Sequence, residues 1–370
     1  MTEPAGATWS DLAADAYRDP GVLERERETM FRTAWQPVAL VSQLQQHQDF
    51  IRTDVAGASV VVQNFDGVLR AFDNVCSHRQ SPLRLCDGGR GPLQCPYHGW
   101  TFDVGGCPVG IPHRKTFGEL SEATLARLAL DPWQVETLGP LVFVAKAPER
   151  PLRASLGAIA GEVGAVVERG ERCLDATSFE LACNWKVMLE NGLDAYHIPL
   201  VHPSTLHKHG LVEQARERVG EHSVGRFVAA SGARVLRALR YAYPDAPIHD
   251  RYTHHLLFPN VYVVDVYGLY LAVSRMDPTG PEATRFHMWV FVTWNGTGGN
   301  VALREELNAN NAAFFRKGYQ EDKVICEHVQ RALRQARHRA IFGREEERIP
   351  MFHDAWRRRL DGAGREDVLR

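Results

Sequence analysis

Cys76-Ser77-His78 and, after a gap of sixteen residues, Cys95-Pro96-Tyr97-His98 place one thiol and one imidazole on each of two short segments. Thiolates favour zinc or an iron–sulfur cluster, and imidazole suits either. A zinc site of two Cys and two His usually draws its cysteines from one segment and its histidines from another. Here the two types alternate, as C-x-H and C-x2-H, so each segment offers a mixed pair. A [2Fe–2S] cluster in which one iron takes two Cys and the other two His accepts such a set. Exchanging thiolate for neutral imidazole removes negative charge and raises the potential from about −400 mV to about −150 to +300 mV.

A second group lies downstream, in Glu190-Asn191-Gly192-Leu193-Asp194-Ala195-Tyr196-His197-Ile198-Pro199-Leu200-Val201-His202-Pro203. A helix is predicted from Asn184 to His197, on which Asp194 and His197, three apart, share a face. His202 follows Pro199, which is expected to end the helix and let the chain return a second imidazole to the same point. Two His and one carboxylate on one side of an iron leave adjacent positions open for dioxygen and a substrate. Alone, two of sixteen histidines at this spacing are equally what a core or a surface carries. Carboxylates on a long helix predicted from about Val301 to Ala340 include Glu305, Glu306, Glu321, Asp322 and Glu327.

Taken together, Cys76-Ser77-His78-Arg79 and Cys95-Pro96-Tyr97-His98-Gly99-Trp100 resemble the Rieske domain of ring-hydroxylating oxygenase large subunits. Asp73-Asn74-Val75 before the first segment, and Gly105-Gly106 and Ile111-Pro112 after the second, agree with it. Glu190 to Pro203 resembles the mononuclear iron motif of the same family. The resemblance covers residues about 35 to 205 with specific motifs and the rest more loosely. It implies that Cys76, His78, Cys95 and His98 bind a Rieske [2Fe–2S] cluster and that His197 and His202 bind Fe(II). The family places an aspartate on the C-terminal helix after another acid and roughly five residues before a glutamate. Gln320-Glu321-Asp322-Lys323-Val324-Ile325-Cys326-Glu327 is similar, which points to Asp322 as the third ligand. Glu321 is the nearest competitor, about 100° round the helix.

For Asp194 the resemblance implies a catalytic bridge between His197 and His98 of a neighbouring subunit, and hence a homotrimer; the alternative is a solvated acid. Cys86 and Cys107 lie eight and nine residues beyond the ligand histidines and are read as free thiols. One departure is visible: naphthalene-type enzymes have an extra residue between the Glu-Asn pair and the bridging acid. The shorter spacing from Glu190-Asn191 to Asp194 is more similar to salicylate-hydroxylating, quaternary-amine and O-demethylating relatives, and favours monooxygenation.

The elements that must position these groups follow from periodicity. Short β-rich runs separated by Gly, Pro and Asp fill Pro37 to about Lys146 (Phe50–Asp54, Ser59–Phe65, Val68–Phe72, Gly139–Ala145) and predict a small all-β module. Ala147-Pro148-Glu149-Arg150-Pro151 reads as a linker. Beyond it come a helix over Leu152–Arg169, a strand over Ala176–Ala182 and a polar stretch over 203–250 suited to an active-site cover. Strands over Tyr252–Phe258, Val261–Met276 (interrupted at Gly268) and Thr284–Trp294 precede the long helix and a shorter one over Pro350–Leu360. The expected fold class is α+β: a small all-β Rieske domain over 37–146, joined to a helix-grip-like catalytic domain over 147–370 with an antiparallel sheet and a long C-terminal helix. Helices in 1–36 are expected to pack with the catalytic domain.

Composition sets the outer bounds. The chain has 370 residues, 44% hydrophobic and 24% charged, with net charge −2, so nothing draws it to nucleic acid or anionic lipid. Its apolar runs fall far short of the ~20 residues of a membrane span, and Met1-Thr2-Glu3-Pro4 opens no signal peptide, so a cytoplasmic location is expected. Seven cysteines, an odd number, suit metal ligands plus ordinary thiols better than a disulfide framework.

The function expected is the terminal component of a Rieske non-heme iron oxygenase, inserting oxygen from O2 by hydroxylation or oxidative demethylation. Aromatic-ring cis-dihydroxylation is the alternative, and an electron-transfer protein lacking mononuclear iron a distant one. No G-x-G-x-x-G occurs, so electrons are expected from a separate NAD(P)H-dependent reductase or ferredoxin. Six of ten tyrosines fall between Tyr241 and Tyr270, near Phe258, Phe286, Trp289, Phe291 and Trp294. They could line a pocket for an arene or a trimethylammonium group, or pack the core. Arg226, Arg234, Arg237, Arg240 and Arg251 could grip a carboxylate. Arg357-Arg358-Arg359 could receive an acidic redox partner or face solvent.

Overall fold

Two hairpins show how the first unit is built. Ala56-Gly57 and Asp66-Gly67 both have positive φ (49° and 92°, 52° and 89°), the two-residue turn whose twist matches that of antiparallel strands. They join Asp49–Val55 to Ala58–Phe65, and Ala58–Phe65 to Val68–Asp73. The computed structural model describes residues 7–229, 233–294, 296 and 298–366, and Met1–Pro4 lies outside them. It divides into two compact units, Phe31–Leu152 and the residues up to Met30 together with Arg153 onward.

The Phe31–Leu152 unit holds a seven-stranded antiparallel sheet in the order Gln36–Leu40, Leu141–Ala145, Pro132–Leu138, Val68–Asp73, Ala58–Phe65, Asp49–Val55, Gly88–Arg90. Alternation along its strands makes two cores. Val60, Val62, Ala71, Val142 and Val144 pack on one side. Val61 and Phe72 face the other way, into a cluster that contains Cys76, Cys95, Trp100 and Leu130.

The second unit is built on another seven-stranded antiparallel sheet: Arg172–Leu181, Ala283–Val292, Tyr270–Gly280, Val261–Val266, Arg251–Leu257, His222–Ala229, Leu211–Val219. The predicted α+β class holds, with the helix Val301–Leu333 packed on the strands Arg172–Leu181 and Ala283–Val292 and on the helix Trp185–Leu193. Its buried residues, Asn308, Ala312, Phe315, Gly318, Asp322, Cys326 and Gln330, recur every three or four positions and form one stripe.

Three expectations need correction. Residues 203–250 are no irregular cover: apart from 230–232, which are not among the described residues, most of the stretch is the edge strand of the sheet, the strand next to it and the helix Ala233–Ala242. Their alternating Glu and Arg residues mask the strand pattern. The helix predicted over Leu152–Arg169 is broken into short pieces at Gly157, where φ is +56°. The helix predicted over Asn184–His197 stops at Leu193, with Asp194 extended at φ −108° and ψ 157°. Pro199 therefore opens the next short helix, Ile198–Val201, where its missing N–H costs nothing, instead of ending the previous one.

One buried charge ties the termini of this unit to the helix before Asp194. Glu26 and Lys186 are both fully buried, and Lys186 Nζ donates to Glu26 Oε1 at 2.5 Å. Trp185 Nε1 and Trp356 Nε1 donate to the same carboxylate at 2.8 and 2.7 Å. Replacing Glu26 by Ala leaves the ammonium buried without a counter-charge and is expected to cost about 3–5 kcal/mol. Glu26→Gln should cost less. Denaturant unfolding followed by tryptophan fluorescence measures both.

Candidate active site and its metal centres

The two Cys/His segments of the Phe31–Leu152 unit fold as matching loops. The Cys76 amide donates to Ser81 O at 2.8 Å and the Gln80 amide to Cys76 O at 2.9 Å. Likewise the Cys95 amide donates to Trp100 O at 2.8 Å and the Gly99 amide to Cys95 O at 3.0 Å. The fourth residue beyond each cysteine is left-handed, Gln80 at φ 58° and Gly99 at φ 73°, a conformation free of strain only for the glycine. Both thiols are buried in an apolar cluster, and burial raises the pKa of Cys76, so the thiol keeps its proton until a metal displaces it. The His78 and His98 rings meet edge to face with centroids 4.6 Å apart, and Trp100 stacks on His78 at 4.7 Å.

The nitrogens decide what the loops are for. Nδ1 of His78 and Nδ1 of His98 are buried and have no hydrogen-bond partner among the described residues. Buried polar atoms are rarely left so, because each forfeits its hydration. Two buried thiols beside two orphaned imidazole nitrogens are the donor set of a [2Fe–2S] cluster in which one iron is held by a pair of cysteines and the other by a pair of histidines. The residues fit the group.

In the larger unit the structure brings His197, His202 and Asp322 together. His202 Nε2 lies 2.9 Å from Asp322 Oδ1 and 3.2 Å from His197 Nε2, and His197 Nε2 lies 3.6 Å from Asp322 Oδ1. Ligand bonds of about 2.1 Å at right angles give edges of about 3 Å, so the triangle fits one face of an octahedral metal. The opposite ring nitrogens are both engaged. His197 Nδ1 donates to Asp194 Oδ1 at 2.8 Å, and His202 Nδ1 donates to Glu321 Oε2 at 2.9 Å. These bonds hold ring protons on Nδ1 and turn both Nε2 atoms toward the carboxylate. Burial by itself would lower the pKa of His202, but Asp322 and Glu321 outweigh it and hold it raised.

Adjacent helix residues divide the work. Asp322 lies in the buried stripe and receives Asn191 Nδ2 at 2.7 Å. Glu321, one residue round, reaches the back of His202 and accepts Thr205 Oγ1 at 2.6 Å. Asp194 meets His197 from beyond the end of its helix rather than along a shared face: Oδ1 also accepts the His197 amide at 3.0 Å. No partner for Asp194 Oδ2 occurs among the described residues. Gly192 allows the tight packing here, since a Cβ would come within 2.7 Å of the Tyr262 ring. Sequence reasoning did not assign Asn191 or Glu321 to orienting the ligands; their adjacency to named residues is the signal that could have done so.

A cavity opens beside the triad, with Phe227, Tyr252, Tyr262, Phe314, Phe315 and Tyr319 in its wall. Of the clustered tyrosines only Tyr252 and Tyr262 reach it. Tyr267 and Tyr270 line a second cavity that shares Tyr252 and Phe314 with the first. Tyr241 is exposed, and Tyr243 donates to Asn308 Oδ1. Phe258, Phe286, Trp289, Phe291 and Trp294 do not line the catalytic cavity. Nor do the five candidate arginines: Arg226 is held by Glu162, and Arg234, Arg237, Arg240 and Arg251 are exposed. The arginine in the wall is Arg348, which nothing in Gly343-Arg344-Glu345-Glu346-Glu347-Arg348 distinguishes from its charged neighbours. Arg357, Arg358 and Arg359 pair with Asp11, Asp354 and Glu221. Among the described residues no helix is long and apolar enough to cross a membrane.

Comparison with known proteins places the chain in a family. The family model for the ring hydroxylating alpha subunit (catalytic domain) matches residues 170–362, and that for the Rieske [2Fe-2S] domain matches residues 34–129. The chain is 26% identical over 355 residues to the chloroplastic choline monooxygenase of Arabidopsis thaliana, covering 91% of this chain and 80% of that protein. It is 30% identical over 202 residues to the carnitine monooxygenase oxygenase subunit of Escherichia coli K12, covering 52% of each. Its fold matches the quaternary ammonium Rieske monooxygenase CntA in complex with L-carnitine at TM-score 0.76 and 22% identity, over 95% of this chain and 96% of that one. It also matches naphthalene 1,2-dioxygenase from Rhodococcus sp. at TM-score 0.75 and 18% identity, over 94% of both. Two motif-bearing units and a family model spanning half its length lead to one conclusion: the chain belongs to the ring-hydroxylating oxygenase alpha-subunit family, the Rieske non-heme iron oxygenases, which carry a [2Fe–2S] cluster and a mononuclear iron.

Proposed function

We propose that this chain is the oxygenase component of a monooxygenase that hydroxylates a small substrate bearing a quaternary or N-methylated nitrogen. The observation that carries this reading is a metal-ligand triangle opening directly onto an aromatic-walled cavity. Neutral aromatic faces attract a trimethylammonium group without needing a counter-charge. Burial raises the pKa of Tyr252, Tyr262 and Tyr319, the last to about 12, so all three stay neutral at ordinary pH. The relatives named for choline and carnitine monooxygenation point the same way.

In this reading His197, His202 and Asp322 hold the iron, and Cys76, His78, Cys95 and His98 hold the cluster. The iron, when bound, activates dioxygen with electrons that a separate reductase or ferredoxin delivers through the cluster. Asp194 and Glu321 hold the ring protons on Nδ1, and Asn191 fixes the Asp322 carboxylate. Replacing C–H by C–OH takes one O2, two electrons and two protons and releases one water. Where the carbon attacked is an N-methyl, the hydroxymethyl product separates into the demethylated amine and formaldehyde.

Asp194 is proposed to carry electrons between centres on neighbouring subunits of a homotrimer. With Nδ1 of His98 committed to the cluster, its other ring nitrogen is left to donate, and Asp194 Oδ2 is free to accept. Exposed apolar side chains flank both groups, Tyr196 (69%) and Leu200 (87%) near Asp194 and Tyr97 (55%) beside His98, as an assembly surface would have them.

Chemical reduction of the purified protein followed by O2 and a candidate substrate tests the reaction without the physiological reductase. A product with one added oxygen, or one methyl group fewer, is expected. Two added oxygens would make the enzyme a dihydroxylating dioxygenase. Asp194→Asn should keep both metal centres and lower turnover by about 100-fold. Glu321→Ala should weaken mononuclear iron binding by about 10- to 100-fold, read by chelator competition, with the cluster's visible spectrum unchanged.

A further inference from the structure

Arg348 begins the helix Arg348–Glu366 and lines the catalytic cavity while only 3% exposed. Its guanidinium touches neutral groups alone. Nε donates to Ser223 Oγ at 3.2 Å, Nη2 to Ser223 O at 3.3 Å, and Nη1 to His254 Nδ1 at 3.2 Å. A guanidinium only donates, so His254 accepts with Nδ1 and carries its proton on Nε2. Burial first, then the charge of Arg348, keeps His254 well below its ordinary pKa, so the ring adds no charge. Burial lowers Arg348 itself only to about 10, which leaves it a cation.

The other buried cations of this unit have acids. Lys186 has Glu26, and Arg275 has Asp277 at 3.8 Å. Glu213, whose charge reaches Arg348, is held through both oxygens by Arg216. No carboxylate lies within ion-pair distance of Arg348 among the described residues, an arrangement that buried charges rarely tolerate. Three of its five N–H bonds are used, leaving one on each terminal nitrogen, the pair a carboxylate takes in a two-point contact. The strand beside it is shaped for the group: a Cβ on Gly225 would lie 3.0 Å from Nη1. Tyr252 and Tyr262 line the same cavity as Arg348, His197, His202 and Asp322.

We propose that Arg348 anchors a carboxylate of the substrate, so that the cavity selects a trimethylammonium acid over a trimethylammonium alcohol. This rests on the oxygenase reading above. A simple cation would be repelled by Arg348, and a neutral arene would leave its two N–H bonds unsatisfied. A zwitterion meets the aromatic wall with one end and the guanidinium with the other.

The test measures binding to the oxidised, iron-loaded enzyme by calorimetry, with γ-butyrobetaine, its methyl ester and choline as probes, followed by turnover of each. The wild type should bind the acid at least about 100-fold more tightly than the ester or choline, the lower end of what two charge-assisted hydrogen bonds contribute. Arg348→Gln should remove that preference by weakening the acid alone, raising its KM far more than it lowers kcat. Arg348→Lys, which keeps the charge but loses the fork, should recover part of it. Unchanged cluster absorption shows that the variants fold; if Arg348→Gln does not fold, the wild-type comparison of acid with ester decides. Equal wild-type binding of acid and ester, no binding of any probe, or an unchanged preference in Arg348→Gln would overturn the assignment. Tight, Arg348-dependent binding of the acid without an oxygenated product would uphold the anchor and count against the oxygenase reading instead.

Discussion

Two imidazole nitrogens and a carboxylate oxygen, all electron-rich, face one another with edges of 2.9 to 3.6 Å, and the catalytic unit is organised around keeping them there. Without a cation between them such groups repel, so the fold must hold each from behind. Asp194 and Glu321 do so through the far ring nitrogens, and Asn191 through the carboxylate. Because a helix turns about 100° per residue, Glu321 and Asp322 can serve the back and the front of the same site. The supports are supported in turn. Glu190, next to Asn191, accepts Tyr17 OH at 2.8 Å and pairs with His353 at 2.9 Å, which draws both ends of the chain onto the helix that leads to the iron site.

The Phe31–Leu152 unit meets a related demand by different means. Its ligands sit on two short loops that cannot be braced by a long helix, so each loop closes on its own backbone around a buried cysteine. The apolar cluster beneath them fixes the thiols, and the stacking of Trp100 on His78 fixes a ring. What stays unsatisfied, the two Nδ1 atoms, is what a cluster would take up. In both units the ligand lone pairs are left facing the place where a metal belongs.

Much of this was legible in the sequence. Alternating Cys and His marked the loops, and short β-rich runs separated by Gly, Pro and Asp marked the strands around them. Other features were hidden for physical reasons. The stripe of the long helix reads Asn, Ala, Phe, Gly, Asp, Cys, Gln, too poor in large apolar residues to show which acid faces inward. Strands 211–219 and 222–229 carry Glu, Arg and His at intervals that resemble a loop. Gly192 packs tightly against Tyr262, a tertiary contact between residues far apart in the chain that the local pattern does not announce. Arg348 was missed because burial, not residue type, separates it from the run of charges before it.

Family membership gives the cofactors, and the cavity gives the direction in which substrate identity should be sought. The central claim is that this chain's own His197, His202 and Asp322 retain a mononuclear iron distinct from the cluster. Iron and labile sulfide analysis of the wild type beside Asp322→Ala tests it most directly. The account predicts about three irons to two sulfides in the wild type, falling to about two and two in the variant with the cluster spectrum intact. A wild type with only about two irons to two sulfides, or a variant that keeps the third iron, would contradict it.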